Sequence, residues 1–150
     1  IKGGLVKKRD VCDSHFFAVL RDPYKRFSSI YSYYQSTGVF NRYHSPPSVG
    51  QVLDILEKGH YPTVGLYHHL SFSMFNSQSS WIPKGRQVTF FRQEQLQDDI
   101  NAYFSNLGED VTIKVERLNN STVENHLSED EKKRIKALYQ DDFALLDTID

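Results

Sequence analysis

Two short apolar runs, each closed by an arginine, interrupt a chain whose other apolar residues recur mostly at helical spacing. The first, His15-Phe16-Phe17-Ala18-Val19-Leu20, shows no helical period. Its length and its aromatic and branched side chains predict a buried strand. It stops at Arg21-Asp22-Pro23. Asp22 suits an N-cap and Pro23 a first helical position, so a helix is predicted from about residue 23 to Gln35. Residues Ser36 to Pro47 read as a loop. Ser48-Val49-Gly50-Gln51 has capping-box spacing and opens a helix ending near Gly59. The stretch from Tyr67 through Asn76 reads as helical, and Gln87-Val88-Thr89-Phe90-Phe91 as a second strand. Leu96, Ile100, Phe104 and Leu107 mark one face of a further helix that stops at Gly108. Val111 to Val115 alternates, as a short strand or an extended connection. A second capping box, Ser128-Glu129-Asp130-Glu131, opens a final helix with Ile135, Leu138, Tyr139, Phe143 and Leu146 on its apolar face.

Strands alternating with helices predict an α/β layer architecture with parallel strands. A parallel sheet covered on both faces normally has more strands than the two strong ones read here. The first residue is Ile1 and the only methionine is Met74. The expectation is therefore a single domain over residues 1–150 that forms the C-terminal part of a larger unit, its first strand or strands lying upstream.

Composition narrows the function classes. A chain of 150 residues with 39% hydrophobic and 13% aromatic residues has enough apolar surface to fold around one core. A formal charge of −1 argues against a general nucleic-acid binder. A single cysteine, Cys12, excludes an internal disulfide framework and a cysteine-based zinc cluster. No apolar run reaches the roughly 20 residues of a membrane helix, and no signal-peptide pattern is present. The expected compartment is cytoplasmic, or the Golgi lumen if an upstream anchor exists.

The segment Phe16 to Tyr34, FFAVLRDPYKRFSSIYSYY, carries the most chemistry. Arg21 leaves the C-terminal end of a predicted strand, where open α/β sheets place their ligands, and Ser29 lies about two turns into the next helix. A guanidinium fork and a hydroxyl both suit phosphate oxygens. Spacing alone favours a plainer assignment, with Arg21 paired to Asp22 or a neighbour and Ser29 a small residue on a packed helix.

Arg21-Asp22-Pro23-Tyr24-Lys25-Arg26-Phe27-Ser28-Ser29-Ile30-Tyr31 resembles the 3′-phosphate-binding motif of sulfotransferases that use 3′-phosphoadenosine 5′-phosphosulfate (PAPS). It is most similar to the carbohydrate branch, whose pattern is R-[DN]-P-x-x-R-x-x-S-x-Y. Gln78-Ser79-Ser80-Trp81-Ile82, Arg92-Gln93-Glu94-Gln95-Leu96, Leu118-Asn119-Asn120-Ser121 and Tyr139-Gln140-Asp141-Asp142-Phe143 resemble later segments of the same family, in the same order. The resemblance implies a P-loop-NTPase-like three-layer fold with a mainly parallel sheet. It implies PAPS as co-substrate, no metal, and sulfuryl transfer to a hydroxyl of a carbohydrate or other small acceptor. It assigns Arg21 and Ser29 to the nucleotide 3′-phosphate, and gives Arg26 and Tyr31 supporting roles.

The chain departs from the family at the donor loop, broadly Pro-Lys-x-Gly-[ST]-[ST], which Lys2-Gly3-Gly4 does not match. The alternative is thus a non-catalytic relative, a nucleotide-binding or interaction module without that loop. A third option, an ATP-using P-loop kinase, leaves the Arg21 to Tyr31 pattern unexplained. No catalytic base is assigned. His15 reads as structural, and the pair His68 and His69 reads as packing, lacking a third ligand for zinc. Glu94 reads as an organiser of local structure. Asn119 to Thr122 holds two overlapping glycosylation patterns, relevant only in a secretory protein.

Overall fold

The computed structural model describes residues 15–38, 40, 45–59, 73–116 and 126–149. Strand β1 (Phe16–Leu20) pairs in parallel with β2 (Val88–Arg92), Phe16 opposite Val88 and Leu20 opposite Arg92. Among the described residues there are five α-helices: α1 (Pro23–Ser36), α2 (Val49–Glu57), α3 (Leu96–Asn106), α4 (Glu129–Leu138) and α5 (Gln140–Leu146). Short 3₁₀ turns occupy Ser73–Phe75, Gln78–Trp81 and Gln93–Gln95. The chain is therefore α/β with parallel strands. No described helix is long and apolar enough to cross a membrane.

Helix starts follow local chemistry. The Lys25 N–H donates to Asp22 Oδ1 at 2.9 Å, with Pro23 in the first turn. Ser48 and Gln51 exchange the two bonds of a capping box, as do Ser128 and Glu131. Each such cap is worth about 1 kcal/mol. Helix α2 ends where Gly59 takes φ +61°, a conformation that a side chain resists.

The core is built mainly by helices. Phe27, Ile30, Tyr31 and Tyr34 of α1 pack against Val52, Leu53 and Leu56 of α2 and Ile135 of α4, with Phe40, Phe75 and Tyr139 completing the cluster. Tyr34 meets Phe40 and Phe75 edge-on at 5.6 and 5.4 Å between ring centres. Outside this core, Arg134 of α4 straps α2: Nε and Nη2 donate to the two carboxylate oxygens of Glu57 at 2.8 and 2.7 Å, and Nη2 also reaches Asp54 at 2.6 Å.

Four expectations change, and the open reading of residues 111–115 is decided. Strand β1 is not buried throughout: Phe17 and Val19 are 48% and 47% exposed, while Leu20 is buried. Among the described residues the sheet has two strands, and α3 meets it through Tyr103, whose ring lies 5.2 Å from Phe17 and 5.9 Å from Phe91. Leu107, expected on that face, is 59% exposed. The final helix divides at Tyr139, whose φ of −115° and ψ of 30° leave helical geometry while its hydroxyl donates to the Phe75 carbonyl at 2.7 Å. Residues 111–115 form an extended connection, strapped by side chains of α3. The Ile113 N–H donates to Asn101 Oδ1 at 2.9 Å and the Val115 N–H to Gln97 Oε1 at 2.8 Å. Of the helix expected up to Asn76, residues 73–75 form a 3₁₀ turn and Tyr67 to Phe72 lie outside the described residues.

The Arg134 strap makes stability pH-dependent. Hydrogen bonds from Arg134 hold the Glu57 carboxyl below its ordinary 4.5, against a smaller opposing effect of burial. A carboxyl depressed in the folded chain stabilises it above the unfolded pKa, and that contribution is lost as pH falls through the folded value. Melting curves should show Glu57→Gln less stable than the parent at pH 7 by less than about 1 kcal/mol. The gap should close as pH falls from 4.5 downward.

Candidate functional site

Because β1 and β2 are parallel and in register at Leu20 and Arg92, their C-terminal ends open on the same side. Residues leaving those ends lie on the side of the sheet where open α/β folds bind ligands. Arg21 and the cap Asp22 follow β1 on that side, and the 3₁₀ turn Gln93–Gln95 follows β2.

The backbone of Arg21 is gripped from both sides by one side chain. Its N–H donates to Gln78 Oε1 at 3.0 Å, and Gln78 Nε2 donates to its carbonyl at 2.9 Å. The amide thus does for Arg21 what an adjacent strand does for a residue within a sheet. Gln78 is in turn held by Asp142 of α5. The N–H groups of Gln78 and Ser79 donate to Asp142 Oδ2 and Oδ1, both at 2.8 Å. Asp142 is 2% exposed, and a carboxylate so buried needs donors on its oxygens.

Two arginines complete the frame. Arg26 Nη2 donates to the Met74 and Asn76 carbonyls at 2.5 and 2.8 Å, pinning the segment that leads into Gln78. Burial pushes the Arg26 pKa below its ordinary value, while Tyr139, Asp142 and Tyr34 oppose the shift. Arg92, at the end of β2, donates to the Leu146 and Ile149 carbonyls at 3.1 and 2.6 Å and so holds the end of α5. The contacts form a closed circuit, from β1 through Arg21, Gln78, Asp142, α5 and Arg92 to β2.

Within this frame Arg21 and Ser29 are half-buried residues, and among the described residues neither the guanidinium nor the hydroxyl has a bonding partner. Asp22 does not pair with Arg21; its Oδ1 accepts from the Lys25 N–H instead. Ser29 sits about 9 Å along the axis of α1 from Pro23, at 1.5 Å per residue. Arg26 and Tyr31 are committed to packing; the Tyr31 hydroxyl donates to the Pro47 carbonyl at 2.8 Å. Glu94 Oε1 lies 3.4 Å from Lys25 Nζ. His15 stands at the opposite end of β1 from Arg21, its Nε2 2.8 Å from Thr89 Oγ1, which suits a structural role. Lys2, Cys12, His44, His60, His68, His69 and Asn119 to Thr122 lie outside the described residues. Among the described residues no group of three or more His, Cys, Asp or Glu side chains is arranged to hold a metal ion.

A groove of about 520 Å³ runs beside β1, lined by that strand with Gln78, Trp81, Ile82, Pro83 and Val88. Gln78 belongs both to its wall and to the Arg21 grip. Sequence reasoning assigned no role to Gln78 or Asp142. The signal for Asp142 was its place seven residues after Ile135, on an otherwise apolar stripe, where a carboxylate implies a buried partner. No family model, curated protein or solved structure matches the chain.

The circuit predicts two graded losses. Asp142→Ala strands two backbone donors in a buried place and should cost about 2–4 kcal/mol in chemical denaturation. Gln78→Ala should cost only about 1 kcal/mol, yet abolish hydrogen-exchange protection of the Arg21 amide.

Proposed function

We propose that this chain carries the 3′-phosphate side of a PAPS-dependent sulfotransferase, built on a P-loop-NTPase-like three-layer fold. The observation that carries the reading is Arg21. Its backbone is fixed on both sides at the C-terminal end of a parallel strand, while its guanidinium has no partner among the described residues. A fork of donors with a fixed base and a free head is preorganised for phosphate oxygens. The segments that resemble the family also meet around it: Gln78, Asp142 and Arg92 all belong to the circuit that sets its position.

In this reading Arg21 and Ser29 hold the 3′-phosphate and so orient the donor from its far end. Transfer then forms a bond from an acceptor oxygen to sulfur and breaks the sulfur bond to the bridging oxygen, which leaves with 3′-phosphoadenosine 5′-phosphate. The acceptor is a hydroxyl of a carbohydrate or similar small molecule, and its proton passes to a general base. Fixing the nucleotide lowers the barrier by placing sulfur and acceptor oxygen within reach. No metal is needed for the phosphate contacts assigned here.

Calorimetry of the full chain with 3′-phosphoadenosine 5′-phosphate tests the reading. Arg21→Ala should weaken binding about 10- to 100-fold, the worth of a charged hydrogen-bonded contact, and Ser29→Ala about 2- to 10-fold. Adenosine 5′-phosphate, which lacks the 3′-phosphate, should bind the parent and Arg21→Ala alike. Absence of binding, or affinity unchanged by Arg21→Ala, overturns the assignment. Nucleotide binding without sulfuryl transfer from PAPS to any carbohydrate acceptor identifies the non-catalytic alternative.

A further inference from the structure

Lys25 lies four residues before Ser29 on α1, which puts both on the same face of the helix. Its N–H donates to the cap Asp22, so it sits in the first turn of α1, four residues after Arg21. Its ammonium reaches across to Glu94 Oε1, 3.4 Å away, in the turn that follows β2. The two side chains are 61% and 37% exposed and share one long contact, and ion pairs of this kind hold weakly. Glu94 has no other bonding partner among the described residues. A lysine has three rotatable donors on a flexible stem, so Nζ can leave Glu94 for an anion near the start of α1 without any movement of the backbone. A carboxylate left facing that anion opposes its binding by like-charge repulsion.

We propose that Lys25 is a third contact for the phosphate assigned to Arg21 and Ser29, and that Glu94 holds it back in the ligand-free chain. This inference rests on the 3′-phosphate reading and extends it. The ligand class is a phosphomonoester carrying close to two negative charges, which a second cation favours over a singly charged phosphodiester. Glu94 and Lys25 are positioned from different strands, so affinity depends on the β1 and β2 ends staying in register.

Titration of the full chain with 3′-phosphoadenosine 5′-phosphate, in the parent, Lys25→Met, Glu94→Gln and Arg21→Ala, tests this. Lys25→Met should weaken binding about fivefold or more, whereas Glu94→Gln should tighten it about two- to fivefold. A merely structural ion pair predicts the same direction for both variants, because each breaks the same bond. That outcome, or Lys25→Met within about twofold of the parent while Arg21→Ala abolishes binding, overturns the role of Lys25 and leaves the 3′-phosphate reading standing. A parent chain that does not bind the nucleotide overturns both.

Discussion

A carboxylate that is 2% exposed must be met by donors, and Asp142 is met by the two N–H groups that open the turn at Gln78. Much of the site follows from that requirement. Once the turn is seated on Asp142, the Gln78 amide has one place to go, the N–H and carbonyl of Arg21. The helix bearing Asp142 is held in turn by Arg92, at the end of the strand paired with β1. Each member of the circuit is fixed by the next, so none is free to drift.

The circuit sits at a boundary. On one side is the helical core, in which α1 presents Phe27, Ile30, Tyr31 and Tyr34 to α2, α4 and the segment around Phe75. On the other is a strand pair in which two of the five β1 residues are exposed. Helix α1 joins the two: its buried face anchors it, Arg26 grips the carbonyls before Gln78, and its first turn carries the cap and Lys25. Rigid support behind a loose pair of polar head groups suits recognition, because little order remains to be imposed when a ligand arrives.

What could be read from the sequence was what is local. Asp22, Ser48 and Ser128 announce helix starts because a cap and its partner lie within three residues. The two strands show in composition, and parallel pairing follows from the helices between them. The division at Tyr139 was hidden because its cause is a carbonyl 64 positions away, and the apolar spacing runs through it undisturbed. The Arg21 grip was hidden in the same way, with 57 positions separating its partners. The plainer alternative, Arg21 paired with Asp22 or a neighbour, drew on adjacency alone, whereas Asp22 Oδ1 accepts from the Lys25 N–H. Tyr103 was passed over because four residues at helical spacing described α3 well enough without it. The face against the sheet was decided by the rings of Phe17 and Phe91.

The separations in that circuit also bear on how the chain assembles. Caps and the first turns of α1, α2 and α4 need only nearby partners and form early, whereas closing loops of 57 and 64 positions costs far more chain entropy. On that ordering the grip on Arg21 is expected to form after the folding transition state. A ligand held there has little to offer the chain while it is still folding. Its stabilisation falls almost wholly on the unfolding rate, so occupancy would register as a longer native lifetime, with the rate of folding left nearly unchanged.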